Sequence, residues 1–182
     1  MTYTYLASPY ILTVTGNKFY FLSPETSKFT VGDIAGALSK VCRFAGHTPD
    51  FYSVAQHSVL VSTLVPQHYA LEGLLHDAHE AFIGDVSTPL KMLLPDYHGV
   101  EKAVEKAVRE RFGVPWALPW AVKHADLVAL ATERRDFMAW NPDDTWDCLT
   151  GIEPAEEPLV PWGPETARRE FLARYSYLTK GS

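Results

Sequence analysis

The stretch Leu71-Glu-Gly-Leu-Leu-His76-Asp77-Ala-His79-Glu80-Ala-Phe82 decides the fold. Its leucines, alanines and Phe82 recur at helical spacing, which predicts a helix from Tyr69 to about Ile83 with Gly84 as its stop. The same apolar stretch carries an imidazole and a carboxylate side by side. Burying either is costly unless it is paired or bound to a cation. The preceding segment repeats the situation. Ser53 reads as an N-cap, Gln56 three residues later completes a capping box, and the helix runs from Val54 to about Val65, where Pro66 stops it. His57 sits in its middle, among Val54, Val59, Leu60 and Val61. A later helix, opened by Pro119 and reaching Trp140, carries Asp126 among Ala125, Leu127, Val128 and Leu130. Three long apolar helices thus each place an ionisable group where a buried face should be. If they converge, His57, His76, Asp77 and Asp126 offer two imidazoles and two carboxylates to one cation. Such a mixed nitrogen and oxygen set suits a divalent transition metal (Zn, Co, Mn or Fe) with positions open to water and substrate. It is a poor set for calcium, which takes oxygen ligands throughout.

Working outward, Tyr10–Thr15 and Lys18–Leu22 are rich in β-branched and aromatic residues and flank Gly16-Asn17, which predicts a β-hairpin over residues 10–22 with a two-residue turn. A helical core follows over residues 31–140. It begins with a helix from Asp33 to Phe44, then a loop at Gly46–Asp50. A short helix runs from Thr88-Pro89 to Leu94, and an amphipathic one from Tyr97 to Phe112 is stopped by Gly113. Residues 141–164 contain five prolines and no sustained period, and read as a long surface loop. A last helix covers residues 165–178. The expectation is one mainly α domain over residues 1–182, a helical bundle with a small N-terminal β-hairpin.

Composition sets outer limits. The chain has 182 residues, with 16 Lys plus Arg against 22 Asp plus Glu, for a net charge of −6. That balance argues against binding nucleic-acid polymers or anionic membranes broadly, since either needs a wide basic surface. It leaves room for a small anionic ligand in a local pocket. Cys42 and Cys148 are the two cysteines, too few for a disulfide framework or a four-cysteine zinc site, and they fit a reducing cytosol. No apolar run reaches the ~18 residues of a membrane span, and Met1–Pro9 lacks the regions of a signal peptide. A cytoplasmic protein is expected. No Gly-x-Ser-x-Gly elbow, Walker loop or dinucleotide fingerprint is present.

The order His…His-Asp…Asp, in the strings Ser-Val-Ala-Gln-His57-Ser, Leu-Leu-His76-Asp77-Ala-His-Glu80-Ala, Gly84-Asp85-Val-Ser-Thr-Pro-Leu-Lys91 and Ala125-Asp126, resembles the HD-domain metal-dependent phosphohydrolases. The strings are similar to those of compact bacterial 5′-deoxynucleotidases and of small phage dATP triphosphohydrolases, the latter pointing to a host cytoplasm. The resemblance covers roughly Ile34 to Phe137. The 19 residues from His57 to His76 make a shorter gap than in the bacterial nucleotidases, and the hairpin and the 141–164 loop have no counterpart there.

The resemblance implies an HD-domain helical bundle with His57, His76, Asp77 and Asp126 as metal ligands. It implies Glu80 as an acid/base group beside the metal, and Asp85 as the acid that orients the attacking water or a sugar hydroxyl. It also implies an Arg-aromatic pair, Arg43-Phe44, in contact with phosphate and nucleoside. Lys91 is a second phosphate candidate, while His47 and His79 are further substrate-contact candidates. A small-molecule nucleotide substrate follows, and the expected reaction is release of phosphate from a deoxynucleoside 5′-monophosphate, with release of triphosphate from a deoxynucleoside triphosphate (dATP) as the alternative. A non-catalytic nucleotide-binding module is the remaining alternative. The family resemblance also implies a homo-oligomer.

Overall fold

The computed structural model describes residues 8–139 and 143–180. Its fold is mainly helical with a small antiparallel N-terminal hairpin, as the sequence predicts. Strands β1 (Tyr10–Leu12) and β2 (Lys18–Tyr20) pair in the register Tyr10 with Tyr20, Ile11 with Phe19 and Leu12 with Lys18. The turn differs from the expected two-residue Gly16-Asn17. The Thr13 amide donates to the Asn17 carbonyl and the Gly16 amide to the Thr13 carbonyl, so Val14–Gly16 form a three-residue loop. Gly16 takes the left-handed position of that loop (φ 80°), which a residue with a Cβ adopts only under strain.

The hairpin is a plug. Phe19 is fully buried and stacks on Phe82 with ring centres 3.7 Å apart, while Phe29 meets both rings edge-on. Asp33 ties the hairpin to helix α1 (Val31–Leu38): its carboxylate accepts from the Thr15 amide and closes a capping box with Thr30. The helix is shorter than the expected Asp33–Phe44. Beyond Ser39 the backbone is claimed by a neighbouring segment, the Arg43 amide donating to the Tyr52 carbonyl and the Val54 amide to the Val41 carbonyl. The chain then makes a tight turn over Arg43–Gly46, with Phe44 (φ 54°) and Ala45 (φ 51°) both left-handed. Such a conformation costs a non-glycine residue about 1–3 kcal/mol. Ala45→Gly is expected to raise stability by about 1 kcal/mol and the melting temperature by about 2–4 °C, measured by calorimetry; a lowered melting temperature would contradict this turn.

Helix α2 (Val54–Leu64) is the centre of the bundle. Every residue from Val54 to Val59 is buried, so it has no polar face to give a clean period. It packs against α3 (Ala70–Leu75), α7 (Trp120–Phe137) and α8 (Pro164–Thr179). Three more helices, α4 (Glu80–Ile83), α5 (Thr88–Lys91) and α6 (Tyr97–Phe112), complete the order. The expected single helix over Tyr69–Ile83 is broken. Residues 76–79 form a turn held by i→i+3 bonds such as Ala78 to Leu75 and Glu80 to Asp77. This tightening falls on the His-Asp pair. Helix α5 ends before the expected Leu94, in a segment bounded by Pro95. Helix α7 ends at Phe137, short of Trp140, which lies outside the described residues.

Over residues 143–163 the expected loop holds no helix beyond one short turn, Asp147–Leu149, and it is pinned down. Thr132, Arg135 and Asp136 of α7 bond the backbone of Ala155 and Leu159. Gln56 donates to the Val160 carbonyl and accepts from the Trp162 amide. The expected capping box is therefore half made: Ser53 accepts from the Gln56 amide, but the Gln56 side chain is spent on the loop. Among the described residues no helix is long and apolar enough to cross a membrane.

Candidate metal centre

Helix α2 approaches α3 closely because Gly73 has no side chain. A Cβ there would lie 3.2 Å from the Ser62 backbone. This contact brings His57 and His76 together, with α7 closing the third side. The two Nε2 atoms are 3.2 Å apart. Asp126 Oδ1 lies 3.1 Å from His57 Nε2 and 3.8 Å from His76 Nε2. Asp77 Oδ2 lies 3.1 Å from His76 Nε2 and 3.5 Å from His57 Nε2. His57, His76 and Asp126 offer ligand atoms within 4.8 Å of one another, so this group, with both imidazoles buried and Asp126 partly exposed, could hold a metal ion.

The far side of each ring fixes its tautomer. His76 Nδ1 lies 2.8 Å from the Gly73 carbonyl oxygen, which only accepts, so Nδ1 carries the hydrogen. His57 Nδ1 lies 2.6 Å from Glu133 Oε1. Burial alone would raise the Glu133 carboxyl, but Arg43 and His57 hold it below the usual range, so it too accepts. In neutral rings, both Nε2 lone pairs then point at one another. That arrangement is repulsive unless a proton or a cation lies between them. Residues that anchor a ligand histidine from behind also orient it toward a metal. The donor set thus fits a divalent ion.

Burial opposes charge on both imidazoles, yet the acids around them prevail. Asp77 and Asp126 hold His76 well above the ordinary imidazole value. His57 is raised as well, Glu133 and Asp126 outweighing burial and Arg43. Burial would lift Asp77 and Asp126, but the two imidazoles draw both far below the usual carboxylate range.

Glu133 is the main residue that sequence reasoning missed. It is fully buried and accepts from His57, from the Tyr52 hydroxyl (3.0 Å) and from Arg43 Nη2 (3.0 Å). The available signal was its position, seven residues and two helical turns after Asp126. Arg43 also reaches Asp85 (3.4 Å) and lies over the Phe44 ring, 5.2 Å from its centre. The expected phosphate contact is thus a guanidinium already held by two carboxylates.

The remaining candidates divide. Glu80 is buried, and its Oε2 has no hydrogen-bond partner among the described residues. Burial first, then Asp77 and Asp85, push its carboxyl well above the ordinary value. Burial also raises Asp85, against the pull of Arg43. Lys91 bonds Glu101 of α6 at 2.5 Å, and His79 is buried with Nε2 3.9 Å from the same carboxylate. Neither partner was foreseen. His47, which ends the Arg43–Gly46 turn, is exposed, with no side-chain bond or ion pair to the cluster among the described residues.

No protein-family model matches the chain. It is 44% identical over 173 residues to YfdR, an uncharacterized protein of Escherichia coli K12, covering 94% of this chain and 96% of that protein. An uncharacterized protein of Rhodobacter capsulatus is 38% identical over 87 residues, 43% of this chain and 44% of its own. At that identity and near-complete coverage, the chain belongs to the same family as YfdR.

Proposed function

We propose that the protein is a divalent-metal-dependent phosphohydrolase of the HD-domain type, acting on deoxynucleotides and releasing phosphate from deoxynucleoside 5′-monophosphates. The carrying observation is the pair of imidazoles whose Nδ1 hydrogens are committed behind them and whose Nε2 atoms face one another and two carboxylates. His57, His76, Asp77 and Asp126 would hold the cation. A cation there supplies Lewis acidity toward a phosphoryl oxygen and acidifies water at neutral pH. Hydrolysis joins the oxygen of water to phosphorus and breaks the bond to the 5′ oxygen, which must gain a proton. Glu80, buried with an unpartnered Oε2, is the group that would supply that proton. Asp85 accepts from the water or a sugar hydroxyl. Arg43 offers a guanidinium edge to the phosphate, and Phe44 a ring to the nucleoside.

A panel of ribo- and deoxynucleoside mono-, di- and triphosphates, assayed with manganese, cobalt or zinc in excess, tests the assignment. Release of orthophosphate from deoxynucleoside monophosphates is expected. Release of inorganic triphosphate would favour the dATP triphosphohydrolase alternative. Binding without turnover of any nucleotide would leave a nucleotide-binding module and overturn the catalytic assignment.

A further inference from the structure

Both permanent cations at the proposed site are already neutralised. Arg43 is shared by Glu133 and Asp85, and Lys91 by Glu101. The Glu101 carboxylate also lies 3.6 Å from His98 Nδ1 and 3.9 Å from His79 Nε2, so several nitrogen-bearing side chains gather on it. Lys91 and Glu101 stand on different helices, α5 and α6, and both side chains are largely buried. A chain of phosphates needs uncompensated positive charge along its length. Lys91, held by Glu101, does not supply it beyond the first phosphate. What these residues do carry is unused hydrogen-bonding capacity. The Tyr97 hydroxyl and His79 Nδ1 are buried without a hydrogen-bond partner among the described residues, and the Tyr97 ring lies 6.0 Å from the Lys91 ammonium.

Resting on the phosphohydrolase assignment above, we infer that Glu101 is a specificity-determining residue. By neutralising Lys91 it makes the Lys91, Tyr97 and His79 side of the site accept an uncharged, hydroxyl-bearing part of the substrate and reject a second or third phosphate. A cation already paired inside the protein gives an added phosphate no attraction to offset its desolvation, and Glu101 holds Lys91 in that state.

The test compares the wild type with Glu101→Gln, which keeps the shape and removes the charge. Affinities for inorganic orthophosphate and inorganic tripolyphosphate are measured by calorimetry with divalent cation in excess over titrant. The ratio of kcat/KM for deoxynucleoside mono- and triphosphates is measured alongside. Glu101→Gln is expected to bind tripolyphosphate about tenfold more tightly, change orthophosphate affinity by less than about threefold, and shift the kcat/KM ratio toward triphosphate. An unchanged ratio and unchanged tripolyphosphate affinity would overturn the role of Glu101. Should the variant not fold, the wild type decides alone: a preference for tripolyphosphate over orthophosphate beyond about tenfold contradicts the inference. Turnover of monophosphates with no shift in the variant defeats only the Glu101 inference. A gain in tripolyphosphate affinity without turnover of any nucleotide defeats only the reaction assignment.

Discussion

Glu80→Gln is expected to lower turnover by about 10²-fold or more and to leave the bound-metal content unchanged. Glutamine fills the same space but cannot give up a proton to the leaving oxygen. In the metal-free protein the substitution has a second, opposite signature. Burial and two neighbouring acids raise the Glu80 carboxyl in the folded state. The folded chain therefore holds a proton that the unfolded chain releases once the pH passes the ordinary glutamate value. Stability from this group is complete below that value and is lost as pH rises toward the raised one. Glu80→Gln removes the loss, so wild type and variant should differ in melting temperature more at pH 8 than at pH 4, with the variant the more stable. Wild-type turnover in the variant, or parallel stability profiles, would remove Glu80 from the proposed role.

The second large effect is placed on Glu133. Glu133→Ala leaves the Arg43 guanidinium, the Tyr52 hydroxyl and His57 Nδ1 without their shared acceptor in a fully buried site. Breaking a buried ion pair by removing one partner costs about 3–5 kcal/mol. Loss of the group behind a ligand histidine weakens metal binding by about 10–100-fold. Thermal melts and metal titrations read the two effects separately. Glu133→Gln keeps an acceptor for His57 but drops the charge facing Arg43, so it should lose less metal affinity than the alanine variant. Equal metal affinity in wild type and Glu133→Ala would show that His57 needs no support from behind.

What could be read in the sequence follows from what one residue's neighbours reveal. Apolar spacing placed the bundle, and Gly84 and Gly113 marked the stops correctly. His57, His76, Asp77 and Asp126 stood out because polar groups on apolar helices are anomalous one helix at a time. Partner choice is a property of the fold and was hidden. Arg43 is 90 residues from Glu133, and Gln56 is 106 residues before the Trp162 amide it accepts from. Glu101 lies on a helix whose charges read as a solvated face, so nothing local marks it as the partner of Lys91. The breaks at Ser39 and at residues 76–79 were equally invisible. Both keep helix-compatible residues and are set by competing contacts, a bridge to residues 52–54 in one case and the i→i+3 ladder under His76 in the other.

The most direct test of the metal centre is a titration of manganese, cobalt or zinc into chelator-treated protein, followed by assay of each state on a deoxynucleoside 5′-monophosphate. One ion per chain should bind, turnover should appear with it, and Asp77→Asn should lose both together. Full activity in protein shown by elemental analysis to be free of metal would contradict the central claim.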